Sequence, residues 1–189
     1  MTPDTGSLTR HPRTSLRWLS IALVLLLPVS NSGAQGQAAQ ICDPKRPAST
    51  PSARFTTLDT GVVTDRGTGL TWMRCAVGQR WNGAGCTGVP LTSSWPGAFD
   101  HALALNKAGG YGGHADWRVP ALDELASLVE QRCYDPALNL ELFPAAPITG
   151  FWSADPHQSP DHAMMIHFKY GGQYMGNKDQ AWALRLVRD

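Results

Sequence analysis

Three histidines, His157, His162 and His167, recur every five residues beside Asp155 and Asp161, and imidazole with carboxylate is ordinary ligand chemistry for a transition metal. The spacing works against convergence. Odd and even positions of a strand face opposite sides, so His162 and His167 point apart unless a bulge intervenes, and we expect solvent-facing histidines with no metal bound. Asp59-Thr60-Gly61 carries the tripeptide of aspartic proteases, whose chemistry needs two carboxylates sharing one proton across a dimer or a duplicated fold. Residues 35–189 hold that tripeptide once, so it reads as a turn between strands. No Gly-x-Ser-x-Gly elbow occurs. A thiol nucleophile would need a reactive thiolate in an electropositive niche, and we expect none of the four cysteines to be free.

The cysteines fit a different role once the N-terminus is considered. Arg10, Arg13 and Arg17 precede an apolar stretch from Trp18 to Val29, followed by the small residues of Ser32-Gly33-Ala34, the pattern of a secretory signal with cleavage near Ala34. The apolar run is short for a bilayer span. Residues 1–34 are therefore expected to be a signal peptide, leaving an exported chain, periplasmic or secreted to the cell surface, with no membrane span in its mature form. In an oxidising compartment Cys42, Cys75, Cys86 and Cys133 become staples. Cys75 and Cys86 bracket a short loop, which leaves Cys42 for Cys133, one of three possible pairings.

Removing residues 1–34 takes three arginines and Asp4 from 16 basic and 15 acidic residues, leaving 13 against 14. No cluster of Lys or Arg stands out in this near-neutral remainder, so nucleic acid is not an expected partner. The length suits one domain with its own core, without internal repeats, and the scattered Gly and Pro suggest many turns.

Residues 35–53, rich in Gln, Ala, Pro and Ser, read as an extended leader anchored by Cys42 alone. The domain is expected over 54–189. Phe55 to Leu58, Val62 to Thr64 and Leu70 to Arg74 read as strands around a turn at residues 65–69, and 75–86 as a Gly-rich loop. Ser94 can cap a helix with Pro96 in its first turn and Phe99, Ala102, Leu103 and Asn106 on one face, stopped by Gly109-Gly110. Pro120, Asp123 and Glu124 open a second helix with a stripe of Leu122, Leu125, Leu128 and Val129, ending near Cys133. Gly150 to Ser153, His162 to Tyr170 and Ala181 to Arg188 read as strands, with Gly171-Gly172 as a turn. Two central helices packed on antiparallel strands from both ends give a loop-rich, disulfide-stapled α+β domain whose termini can pair in one sheet.

Several ordered blocks carry a family resemblance. Thr68-Gly69-Leu70-Thr71-Trp72-Met73-Arg74-Cys75, Cys86-Thr87-Gly88, Asp116-Trp117-Arg118-Val119-Pro120, Glu124-Leu125, Cys133-Tyr134-Asp135-Pro136, Asn139, Phe143-Pro144, Phe151-Trp152-Ser153 and Val187-Arg188 together resemble the Lcl C-terminal domain family. That family is named for a domain of a Legionella collagen-like adhesin, and the resemblance covers about residues 54–189. It implies a compact C-type lectin-like fold, and the adhesin implies binding of sulfated polysaccharide. The entry Trp117-Arg118-Val119-Pro120 also resembles formylglycine-generating enzymes, which share that broad fold. The calcium signatures of C-type lectins, Glu-Pro-Asn, Gln-Pro-Asp and Trp-Asn-Asp, are absent. Trp72, Trp117, Trp152 and Trp182 fall in strands or at element starts and are expected in the core.

We therefore expect an exported, non-catalytic recognition module without a cofactor, binding a glycan or a cell-surface protein. An enzyme or accessory factor on the same scaffold, and a structural subunit without a small ligand, are the alternatives. The expected surface joins the loop from Asp155 to His162 with a hairpin turn from Tyr170 to Asn177. Tyr170 and Tyr174 would stack on sugar faces while Asp155, His157, His162 and Asn177 supply polar groups.

Overall fold

The computed structural model describes residues 40–189, and the expected signal peptide over 1–34 and its expected cleavage near Ala34 lie outside them. Its strands are β1 (Ile41–Cys42), β2 (Phe55–Thr57), β3 (Val62–Asp65), β4 (Thr71–Met73), β5 (Arg80–Trp81), β6 (Cys86–Thr87), β7 (Thr92–Ser93), β8 (Cys133–Tyr134), β9 (Gly150–Pro156), β10 (His162–His167), β11 (Gly172–Asn177), β12 (Trp182–Ala183) and β13 (Val187–Arg188). Two helices, α1 (Trp95–Lys107) and α2 (Leu122–Ala126), complete a mixed α+β domain dominated by sheet. Among the described residues no helix is long and apolar enough to cross a membrane.

Strands from both ends of the domain share a sheet in the order β13-β4-β3-β2, with β13 paired to β4, while β1 pairs with β8 in a separate two-stranded sheet. A second sheet runs β11-β10-β9-β12-β7, mostly antiparallel, and it separates two cores. Alternation along β9 and β10 explains both. Phe151 and Ile166 enter one core with Trp72, Leu125 and Phe143, while Trp152 and Met165 enter the other with Met73, Ala98, Ala102 and Trp117.

The disulfides are Cys42–Cys133 and Cys75–Cys86, and no cysteine is free. The second closes the small β5-β6 hairpin, which the Gly-rich composition had concealed. Ser94 caps α1 as expected, accepting the Gly97 N–H at 3.4 Å, and Pro96 occupies the first turn. The buried line of α1 differs from the expected face: Ala98 and Ala102 go inward, while Phe99 and Leu103 are exposed. Small residues allow α1 to lie close to the second core, and Phe99 packs edge-on against Trp95.

Three further expectations are corrected. α2 ends at Ala126 instead of reaching Cys133, because the chain leaves the helix through tight turns so that the Glu130 N–H meets the Ala137 carbonyl and Cys133 joins β8 opposite Cys42. The leader is held by far more than Cys42. Gln40 Nε2 donates to the Pro136 and Leu138 carbonyls at 2.7 and 2.6 Å, and buried Thr50 is bound by the Glu130 carboxylate. Residues 172–177, expected to be a turn, form the edge strand β11 in unbroken register with β10.

Candidate functional site

Three of the six expected site residues, Asp155, Asn177 and His157, bond within the fold, and His162 packs its ring on His157 with its buried Nδ1 unpartnered. Asp155 Oδ2 accepts the Leu122 backbone N–H at 2.5 Å, so this carboxylate satisfies the start of α2, where Ala121 has no side-chain oxygen to offer. Asn177 Oδ1 accepts the Asp179 N–H at 2.9 Å and its own N–H goes to Gln180 Oε1 at 3.1 Å, which builds the turn after β11. His157 Nδ1 accepts the Ser159 N–H at 3.1 Å, and its ring meets that of His162 edge-on with centroids 6.3 Å apart. No group of three or more His, Cys, Asp or Glu among the described residues is arranged to hold a metal ion.

The two tyrosines remain exposed but are not brought together. Tyr174, 47% exposed, lies against His167. Tyr170, 62% exposed, lies against Tyr134 instead. The turn between them explains the separation: Gly171, at φ 74°, sits where an added Cβ would strike Val129 beyond α2, so Tyr170 leaves the sheet on that side.

On the other face, Tyr174, His167 and Trp182 form a row. His167 is central, with its ring 6.1 Å from Tyr174 at 77° and 6.2 Å from Trp182 at 69°. Glycines make this possible. A Cβ on Gly150 would meet the Trp182 ring at 3.1 Å, one on Gly176 would meet Trp152 at 2.9 Å and Trp182 Nε1 at 3.0 Å, and one on Gly172 would meet the Tyr174 ring at 2.8 Å. The rings can therefore lie down on the sheet across neighbouring strands. Trp182 is only half-buried, unlike Trp72, Trp117 and Trp152, and so departs from the expected core role.

His167 also has a defined protonation state. Burial, aided by the charge of Lys169, holds its imidazole below the ordinary value of 6.5. Nδ1 accepts the Lys169 backbone N–H at 3.2 Å, which leaves the ring proton on Nε2 as a donor. Two aromatic rings thus flank a neutral imidazole N–H. The sequence signal for His167 was its register: it lies one position out of phase with His162 and in phase with Met165 and, across the pair with Gly172, on the face of Tyr174. Trp182 had no such signal, because its strand is only two residues long.

A family model described as the Lcl C-terminal domain matches residues 61–188, more than half of the chain. None of the curated proteins compared with it matches the chain.

Proposed function

The chain belongs to the Lcl C-terminal domain family, and we propose that this member is an exported, non-catalytic, adhesin-like recognition module that binds a saccharide on the Tyr174, His167 and Trp182 row. The observation that carries this reading is the contact of three rings across one sheet face beside a single oriented donor. Sugar C–H faces stack on aromatic faces, and hydroxyls need paired donors and acceptors, here the Nε2–H of His167 and the Tyr174 hydroxyl. The near-neutral charge of residues 35–189 favours neutral sugars and weak salt dependence. A compact C-type lectin-like fold is consistent with the pairing of β13 with β4 and with the two helices set between the strands. Both disulfides suit an oxidising compartment and occupy every thiol, which supports a binding role over thiol chemistry.

The test is a glycan array probed with the oxidised protein and with Tyr174→Ala. Binding to one or more neutral saccharides should weaken at least about tenfold in the variant, the scale of a truncated aromatic anchor. Equal binding by both proteins, or no saccharide bound by either, contradicts the proposal.

A further inference from the structure

A second surface lies around the Cys42–Cys133 bond. Here a cleft of about 560 Å³ is lined by Ile41, Tyr134, Tyr170, both cystine residues and Gln131. Its rings stand 6.2 Å apart with a tilt of 32°, and Ile41, Tyr134 and Tyr170 are all exposed. Three apolar side chains left in solvent at one place are characteristic of an interface.

The charge around them is mixed with an excess of cations, since Asp43 also lines the cleft and Asp135 acts on Lys169. Arg46 and Arg132 line the same cleft, and Lys169 sets its ammonium 5.2 Å from the Tyr170 ring centroid. Arg46 takes part in none of the ion pairs among the described residues. Arg132 stands 3.9 Å from Glu130, and its Nε has no hydrogen-bond partner. The nearby carboxylates, Glu130 and Asp43, keep their charge but aim their oxygens at other donors. Both oxygens of Glu130 are taken up by Ser49 and Thr50, and Asp43 Oδ1 accepts the Lys45 N–H at 2.9 Å. A cationic rim around an apolar centre calls for a partner of the opposite arrangement.

The lining also distinguishes a peptide from a sugar. A saccharide presents hydroxyls all round and needs several neutral donors and acceptors, whereas Gln131 is the one amide side chain in the lining. Isoleucine, cystine and two tyrosine faces suit an inserted hydrocarbon or aromatic side chain, and Tyr with Arg is the composition of protein-binding hot spots. We propose that this cleft docks a protein segment that presents an aromatic or aliphatic side chain flanked by carboxylates. The site is separate from the saccharide row and does not depend on it.

The test uses a displayed library of random short peptides panned on the immobilised, oxidised protein, followed by fluorescence polarisation with the enriched peptides in synthetic form. Enriched sequences should combine Phe, Tyr, Trp or Leu with Asp or Glu. Their affinity should fall at least about tenfold in Tyr170→Ala and in Arg46→Glu, weaken as salt is raised, and stay unchanged in Tyr174→Ala. Both altered side chains are exposed, so the fold should survive, and an unchanged urea midpoint verifies this. The proposal is overturned if nothing is enriched above the level seen on Tyr170→Ala, if the enriched peptides lack carboxylates, or if both variants bind them like the unaltered protein. Loss of saccharide binding in Tyr170→Ala, with Tyr174→Ala unaffected, would make the cleft the sugar site and overturn both assignments. Loss of saccharide binding in Tyr174→Ala alone leaves the peptide result to decide the cleft by itself.

Discussion

Glu130→Gln should be among the most destabilising isosteric changes available in this domain. The carboxylate is 3% exposed and ties the leader to the segment after α2. Oε1 accepts the N–H of Ser49 at 3.0 Å, the Ser49 hydroxyl at 3.3 Å and the Arg132 N–H at 3.3 Å. Oε2 accepts the Thr50 N–H at 3.0 Å and the Thr50 hydroxyl at 2.9 Å. Each oxygen faces a backbone donor, so an amide must turn its NH₂ toward an N–H whichever way it flips. One buried donor is then orphaned, at about 1–3 kcal/mol, and the remaining bonds lose their charge assistance. Relief of the buried charge offsets part of this, leaving a net loss of about 2–4 kcal/mol. For a domain of this size that lowers the melting temperature by on the order of 10 °C.

Urea unfolding of the oxidised protein measures the loss directly, and its pH dependence tests the cause. Burial pushes the Glu130 carboxyl up, but the donors of Thr50, Ser49 and Arg132 together hold it below its ordinary value of 4.5. Its stabilisation is then fully present above that ordinary value and is lost as pH falls through the lower folded-state value. Glu130→Gln should therefore show a shallower decline in acid than the unaltered protein. A loss below about 0.5 kcal/mol, or an unchanged acid decline, would refute the reasoning.

Three more outcomes follow from the same structure. Replacing Cys42 and Cys133 by Ser should cost more than replacing Cys75 and Cys86, about 4.5 against about 3 kcal/mol by loop entropy, since the bonds span 91 and 11 residues; denaturation midpoints of the two double variants decide the order. Trp117→Ala should cost about 3–5 kcal/mol because its ring is buried and its Nε1 donates to the Tyr111 and His114 carbonyls, whereas Tyr174→Ala should leave the melting temperature nearly unchanged. Arg185 is 1% exposed, donates Nη1 to the Met73 and Arg74 carbonyls, and is pushed down to about 9 by burial. At neutral pH the guanidinium is charged in the folded and the unfolded chain alike, and Arg185→Ala, which orphans both carbonyls and removes the contacts with the Phe143 and Phe151 rings, should cost about 2–4 kcal/mol in urea unfolding.

The strands around the turn at residues 65–69, the capped start of α1, both disulfides and the sharing of one sheet by strands from both ends of the domain follow from chemistry that the sequence displays openly. What stayed hidden was polar or glycine-dependent. Ser49 and Thr50 dock through a carboxylate, not through apolar periodicity, so the leader looked structureless. The stripe Leu122, Leu125, Leu128 and Val129 suits a long helix, yet Glu130 is needed inward by Thr50, and the chain abandons the helix after Ala126. β11 contains no β-branched residue, and Gly176 is there because Trp152 and Trp182 press on it. Tyr170 and Tyr174 looked like partners because both flank one hairpin; Gly171 puts them against different neighbours. That single turn divides the expected site into the aromatic row and the tyrosine cleft.

The most direct test of the saccharide reading is an NMR titration of the oxidised protein with a neutral oligosaccharide found on the array, following the His167 ring and the Trp182 indole N–H. Both side-chain signals should shift in step with saturation, with an affinity that is nearly independent of salt and constant above pH 6.5, the ordinary imidazole value. Saturation that moves Tyr134 and Tyr170 while His167 and Trp182 stay fixed would contradict the account.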